Sequence, residues 1–297
     1  MSTATLKENK MGVMPVGKLL ANMALPMIAS MLVQALYNVV DSIYVAQVSE
    51  SAVTALALAF PVQNMQIGFA VGIGVGVNSL LSKSLGERNQ EAANRTAGNG
   101  LVLMLMISVA FMLFGIFGTR PYFEMQSDVT ETVENGIAYT RICCLLVMGS
   151  FLQILFERLL QATGRTAHTM LTQGLGAVIN IILDPILILG IGPFPRLEAK
   201  GAAVATVIGQ WLAAILAIIF NVKCNPDVQF SLKALKPDPQ VMGRILAVGV
   251  PSIIMMAIGS VMNFGMNQIF LRFKEYGETA AGVFGIYFKL QSFVLMP

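Results

Sequence analysis

Charged residues are scarce in this 297-residue sequence. Only 12% of the residues are Asp, Glu, Lys or Arg, against about 25% in ordinary soluble domains. Hydrophobic residues make up 56% of the chain, and the mean hydropathy is +0.72. These values exclude an ordinary soluble domain and predict a polytopic membrane protein. The net charge of +3 follows from a surplus of cytoplasmic Lys and Arg, so no nucleic-acid partner is expected.

Cysteine and histidine are also rare. The three cysteines, with Cys143 and Cys144 adjacent in a predicted span, make neither a disulfide framework nor a metal site. The single histidine, His168, excludes any motif that needs two histidines. The sequence contains no GxSxG, P-loop or HExxH motif, so membrane lipase, ATP-driven pump and protease functions have no support. We therefore expect no enzyme activity, no cofactor and no resident metal.

Two further features are absent or misleading at first sight. Met1 to Pro15 is polar and lacks the short apolar core of a cleaved signal peptide, so the first span is expected to direct its own insertion. A glycine run lies inside a predicted span, where it indicates close helix packing rather than a nucleotide-binding loop. Its members are Gly72, Gly74 and Gly76.

Long apolar runs dominate the rest of the chain. At about 20 residues per membrane crossing, the sequence predicts seven complete spans and the start of an eighth. With the N-terminus inside, the cytoplasmic segments hold twelve Lys and Arg residues and the outer segments hold five, which favours a cytoplasmic N-terminus. The approximate limits are 22–48, 52–81, 98–118, 136–156, 170–191, 202–222, 245–271 and 279 onward.

An internal repeat divides the chain. A shift of 225 positions superposes Pro26 on Pro251 and Asn38 on Asn263 without a gap. Six spans separate the two copies, which predicts a parallel repeat of six-helix lobes about an axis along the membrane normal. The chain stops early in the second copy, so we expect a truncated twelve-helix protein. The predicted parts are a cytoplasmic N-terminal segment 1–15, an N-lobe 16–222, a cytoplasmic linker 223–241 and the start of a C-lobe 242–297.

The first span carries a carboxylate, Asp41, within an apolar helix. An aspartate at the centre of a spanning helix costs about 2.5–3.5 kcal/mol on insertion scales, and such residues usually face a protein interior or a water-filled path. Gln34, Tyr37 and Asn38 share its helical face. This polar stripe predicts that the helix lines a cavity.

The fifth span carries a second carboxylate, Asp184, with Asn180 one turn before it on the same face. Asp41 and Asp184 each lie about seven residues from the outer end of an outward-running helix, or roughly 10 Å below the outer surface. Thr206, in the sixth span, lies at a similar depth. Oxygen ligands of this kind suit sodium, and two carboxylates in one cavity can instead retain a proton. The alternative is that both aspartates only fix packing through hydrogen bonds.

Further polar residues inside the spans are candidates for a substrate path between the lobes. Lys289 lies about eleven residues into the eighth span and either lines the cavity or pairs with a group of the second lobe. Small polar residues also join membrane helices together, so both interpretations stay open for the other candidates. These are Gln63 and Gln66 in the second span and Asn263 and Asn267 in the seventh.

Four segments carry a family resemblance: LPMIASMLVQALYNVVDSIYVA, ERLLQATGRT, NIILDPILILGIGPFP with GAAVATVIGQ, and GVPSIIMMAIGSVMNFGMNQIF. Together they resemble the multidrug and toxic compound extrusion (MATE) family, most of all its DinF-like branch. The resemblance covers the chain from about residue 16 to its end. It implies an all-α fold of two six-helix lobes around a V-shaped cavity.

The resemblance also implies a function. It implies export of cationic amphipathic drugs across the bacterial cytoplasmic membrane, by a monomer, in exchange for Na⁺ or H⁺. Asp41, Asn180, Asp184 and Thr206 would form the cation site, and bending near Pro26 would couple ion entry to drug release. The seventh span lacks the glutamate used by the NorM-like branch, which argues for this N-lobe site. The rivals are a flippase for lipid-linked sugars and a non-transporting membrane scaffold.

Overall fold

The computed structural model describes residues 13–46, 50–191, 196–229, 234–270 and 277–295. Within these ranges the chain folds into ten helices joined by short connections. They are α1 Val16–Ala46, α2 Glu50–Gly86, α3 Gln90–Phe117, α4 Thr119–Glu124, α5 Thr130–Leu145, α6 Met148–Ala162, α7 Thr166–Leu189, α8 Ala199–Cys224, α9 Pro239–Phe270 and α10 Gly277–Leu295.

Six of the described helices are long and apolar enough to cross a membrane: α1, α2, α3, α7, α8 and α9. A seventh crossing is formed by α5 and α6 together, which meet at an angle of 48°. The break replaces the predicted straight span 136–156. Two tight turns close it, with Val147 N–H donating to Cys144 O at 3.4 Å and Gly149 N–H to Leu146 O at 3.2 Å. No proline lies at this break, whereas α1, α2, α7 and α9 each continue through one.

Helix α2 is the central element of the bundle. It packs against α9 most extensively and also against α3, α5, α6 and α10. Its first half joins an apolar core with α5 and α8, and its second half joins another with α3 and α6. The outward face of α3 stays exposed at residues three or four apart, the spacing of one helical face that meets lipid. These residues are Met106, Val109, Leu113 and Ile116.

The glycine run of α2 does mediate close packing, as the sequence predicts. A methyl group on Gly76 would lie 2.2 Å from the backbone oxygen of Ile245 in α9, and one on Gly72 would lie 2.9 Å from the backbone oxygen of Gly249. Gly74 faces the other way, against the side chain of Arg158 in α6. Because only glycine leaves room for these contacts, α2 and α9 approach backbone to backbone.

The short helix α4 covers one end of the bundle. The hydroxyl of Tyr122 donates to the backbone oxygen of Leu58 in α2 at 2.9 Å, and the amide of Gln126 reaches the same oxygen at 3.4 Å. Burial raises the pKa of the Tyr122 phenol well above its ordinary value, and its hydrogen bond with Gln126 only partly offsets this. Tyr122 therefore remains a hydrogen-bond donor throughout the physiological pH range.

The connection between α8 and α9 lies against α3. It is slightly shorter than the predicted linker, because α8 continues to Cys224 and α9 begins at Pro239. Three amide side chains of α3 bind its backbone. Gln90 donates to Asp227 O at 2.7 Å, Asn94 accepts from Gln229 N–H at 2.9 Å and Asn99 accepts from Asp238 N–H at 2.7 Å. We call the end of the bundle that holds this connection the linker end.

Replacing Asn99 by Ala is expected to loosen this connection. The side chain of Asn99 is buried, and its amide nitrogen also donates to Lys236 O at 3.4 Å. Removal leaves buried backbone groups without partners, at a cost of about 1–3 kcal/mol. Hydrogen exchange of the amides in 234–241 should therefore become faster. Glu91→Ala, which removes only an exposed ion pair with Arg95, is the control and should leave exchange in this segment unchanged.

Candidate functional site

Helix α7 places two polar side chains in the interior of the bundle. Asn180 and Asp184 lie one turn apart on the face that packs against α8, and they are only 2% and 0% exposed. The opposite face of α7 carries exposed Val178 and Ile182. The amphipathic pattern of the sequence thus buries the Asn180–Asp184 pair because the apolar face of α7 is turned outward.

Asn180 links Asp184 to α8. Its Nδ2 lies 3.3 Å from Asp184 Oδ1 and 3.4 Å from Thr206 Oγ1. With the amide rotated by half a turn, the nitrogen donates to Asp184 Oδ2 at 3.1 Å and the oxygen accepts from Thr206 N–H at 3.2 Å. The rotated amide satisfies both groups with shorter bonds, so we favour it. In either orientation, three of the four residues predicted from depth lie in one hydrogen-bonded group.

The fourth predicted residue, Asp41, belongs to α1. This helix packs mainly against α7, so the helix that carries Asp41 neighbours the helix that carries Asp184. The side chain of Asp41 lies outside the described residues, as do those of Tyr37, Asn38 and Lys289. Pro26 lies inside α1, which continues past it without a break, and its role as a hinge stays a prediction. Gln34, on the same helix, is partly buried.

The two glutamines of α2 are placed differently from the predicted path between the lobes. Gln63 Nε2 donates to the hydroxyl of Tyr139 at 2.8 Å, and Gln66 Nε2 lies 3.1 Å from Cys144 Sγ. Both partners belong to α5, within the first lobe. Helical spacing identifies the polar face of α2 but not the neighbour that this face meets. The contacts favour the interpretation that Gln63 and Gln66 join α2 to α5.

The polar residues of α9 form a buried row against α2. Asn64 of α2 donates to Ser260 Oγ at 3.1 Å, and Asn267 Nδ2 donates to Asn263 Oδ1 at 3.3 Å. Asn263 and Asn267 are each 1% exposed, and Asn263 Nδ2 and Asn267 Oδ1 have no protein partner among the described residues. This row therefore lies between the first lobe and the first helix of the second copy, as the sequence predicts, with hydrogen-bonding capacity to spare.

One buried carboxylate was missed by the sequence reasoning. Glu157 lies in α6, within the segment ERLLQATGRT, and is only 3% exposed. Its position near the end of a predicted span made it look solvent-accessible. The signal that could have identified it is the run of polar residues Thr169, Thr172 and Gln173 at the start of the next span.

Among the described residues, no group of three or more His, Cys, Asp or Glu side chains is placed to hold a metal ion. An ion bound at Asp184 would thus be coordinated by a mixed set of one or two carboxylates with neutral amide and hydroxyl oxygens. Such a set suits a monovalent hard cation, because few charged ligands are needed to balance a single positive charge.

Comparison with known families identifies the architecture. The MatE family model matches residues 26–186, more than half of the chain and all the elements from α1 to most of α7. The chain belongs to the MatE family. The matched range includes Asn180 and Asp184 as well as Asp41. Members of this family are transporters, and the all-helical fold described above is that of MATE transporters.

Relatives and solved structures agree with this assignment. The chain is 27% identical to an FAD transporter of Shewanella oneidensis over 95% of its length, and 26% identical to the multidrug export protein MepA of Staphylococcus aureus over 94%. It superposes on the MATE multidrug transporter DinF-BH, solved in complex with a drug, with a TM-score of 0.89 and 28% identity, over 96% of this chain.

The match covers only part of each longer relative. The chain spans 62% of the FAD transporter, 60% of MepA and 63% of the DinF-BH chain. This extent agrees with one six-helix lobe and the start of a second. We use "the full-length protein" below for the form that holds both lobes.

Proposed function

We propose that the chain forms the first lobe, and the start of the second, of a cation-coupled antiporter that exports organic cations. One observation carries the proposal: the buried carboxylate of Asp184 is joined through Asn180 to Thr206, in a group that packs beside the helix of Asp41. A fully buried carboxylate is costly unless an ion, a proton or a hydrogen-bond network compensates its charge. Reversible binding of a cation at this position would give the group a transport role.

The coupling step in this proposal is the neutralisation of the site. When Na⁺ or H⁺ binds at Asp41 and Asp184, with Asn180 and Thr206 as neutral ligands, the net charge of the interior of the lobe changes. A cation can shift a conformational equilibrium only by its different affinity for the two states. Because α1 packs along α7, a change in their packing, with Pro26 as the hinge, would transmit cation binding to the cavity between the lobes.

The proposed substrates are cationic amphipathic small molecules. MepA is named a multidrug export protein, and DinF-BH is named a multidrug transporter. The relative named an FAD transporter makes the charge of the substrate a point for direct measurement. We place the protein in the bacterial cytoplasmic membrane as a monomer, with its N-terminus on the cytoplasmic side, and expect no cofactor beyond the exchanged ion.

Ethidium efflux from proteoliposomes tests this function. The full-length protein is expected to move ethidium against its gradient when an inward Na⁺ or H⁺ gradient is imposed, and to stop when an ionophore collapses that gradient. Imposing the two gradients separately identifies the coupling ion. Vesicles without protein control for leakage. Transport of FAD but not ethidium would overturn the proposed substrate class, and a flux that neither gradient drives would overturn antiport.

A further inference from the structure

Glu157 occupies a polar pocket between α6 and α7. Three neutral side chains donate to its carboxylate. Gln153 Nε2 and the Thr172 hydroxyl reach Oε1 at 3.1 and 2.8 Å, and Gln173 Nε2 reaches Oε2 at 2.8 Å. The hydroxyl of Thr169 additionally lies 3.4 Å from the backbone oxygen of Glu157. A carboxylate with this burial and these donors is a constructed site rather than an exposed helix end.

The pocket is separate from the candidate cation site. Thr172 and Asp184 lie twelve residues apart on α7, which corresponds to about 18 Å along a helix. The neighbouring residue Phe156 accepts a hydrogen bond from Asn221, near the end of α8, at 2.9 Å. Glu157 therefore lies toward the linker end of the bundle, whereas Asp184 lies toward the other end.

No salt bridge joins Glu157 to a basic side chain in the described part of the chain. Arg158, next to it on α6, donates instead to Gln161 Oε1 at 2.8 Å. On α7, His168 packs its ring against Phe220, and Arg165 pairs with Asp227. The charged side chains at the linker ends of α2, α3 and α8 are exposed; they are Lys83, Glu87, Glu91, Arg95 and Lys223.

The Thr172 hydroxyl has two acceptors at the same distance. It lies 2.8 Å from Glu157 Oε1 and 2.8 Å from the backbone oxygen of Thr169. A hydroxyl has one proton to donate and two lone pairs that accept. When Glu157 is ionised, the hydroxyl donates to Oε1. When Glu157 is protonated, the hydroxyl can rotate toward Thr169 and accept the new proton, so both states keep a complete hydrogen-bond pattern at Oε1.

Gln173 offers the same reversal at the other oxygen. Its Nε2 donates to Glu157 Oε2, while its own Oε1 is buried and has no partner among the described residues. Rotation of the amide would present this oxygen to a protonated Oε2. A pocket that served only to hold an ionised carboxylate would gain nothing from partners that can reverse.

We propose that Glu157 is a second proton-binding site of the first lobe, at the opposite end from Asp184, with Thr172 and Gln173 as its reversible partners. The proton comes from water at the linker end and enters as H⁺ on one carboxylate oxygen; no bond is broken in the protein. Any use of this proton in transport rests on the proposed function, but its binding does not. The two sites would let the lobe respond to pH at both ends of α7.

Infrared spectroscopy of the purified full-length protein tests the proposal directly. As the pH falls, the wild type should gain a carbonyl band of a protonated carboxylic acid in an apolar environment. Glu157→Gln should lose this band, and Asp184→Asn should keep it. A band that is unchanged in Glu157→Gln, or a wild type without such a band at any pH, would overturn the proposal. Neither outcome depends on transport, so failure of the antiport proposal would be recognised separately.

Thr172→Val supplies a second variant that keeps Glu157 and nearly the same volume. Loss of a hydrogen bond to a charged group makes ionisation less favourable, so the midpoint of the band should move to higher pH by about one to two units. Thr96→Val is the matched control, because the buried hydroxyl of Thr96 donates to Ala92 in its own helix at 2.8 Å; its midpoint should equal that of the wild type. An unchanged midpoint in Thr172→Val would contradict the reversible role of Thr172.

Discussion

Asp184→Asn in the full-length protein is expected to abolish gradient-driven export, with a loss of about 100-fold or more in initial rate if the site supplies a typical coupling free energy. The substitution keeps the shape of the side chain and its ability to accept from Asn180. It removes only the charge that a cation would neutralise. Because a buried ionised group is itself costly, the neutral variant should fold at least as stably as the wild type.

The matched measurements separate coupling from folding. Ethidium flux in proteoliposomes reports export, and thermal unfolding in detergent reports stability. Asp41→Asn should show the same loss of flux, and the double variant should lose little more, because both residues act in one site. Asp128→Asn, at an exposed position before α5, controls for a changed surface charge. Full export by Asp184→Asn, at wild-type expression, would refute the proposed site.

How far the sequence predicts the site depends on helical geometry. Asn180 and Asp184 share a face of α7 by their spacing, and the depth comparison brings Thr206 to the same level. The structure places all three in one hydrogen-bonded group. Depth along a helix follows from counting residues at about 1.5 Å each, so this part of the site could be obtained without coordinates. The role of the group in binding a cation stays a prediction.

Two features depend on packing and could not be obtained in this way. Gln63 and Gln66 meet α5 because of the rotation of α2 within the bundle, and a polar stripe does not reveal which neighbour it meets. Glu157 is buried because the bend between α5 and α6 sets the path of α6 against α7 and α8. That bend occurs without proline or any other clear sequence signal, so a straight span was predicted and the pocket was missed.

The second large effect is expected at the contact between the lobes. Gly76→Ala would place a methyl carbon 2.2 Å from the backbone oxygen of Ile245 and 3.0 Å from its carbonyl carbon. A backbone group cannot rotate away as a flexible side chain can, so α2 and α9 must separate. Overpacking of this kind costs about 1–3 kcal/mol and occasionally more. We expect a value at the upper end of that range, because the clash is with a main chain.

Thermal unfolding and cysteine cross-linking measure the two consequences. The melting temperature of Gly76→Ala should fall, and a disulfide engineered between α2 and α9 near this contact should form more slowly than in the parent. Gly243→Ala is the matched control, because a methyl group on Gly243, also in α9, meets nothing within 4 Å. Alanine favours helix over glycine by about 1 kcal/mol, so this control should be neutral or stabilising. Equal melting temperatures for the two variants would show that α2 and α9 do not depend on this close approach, and the glycine run would then need another explanation.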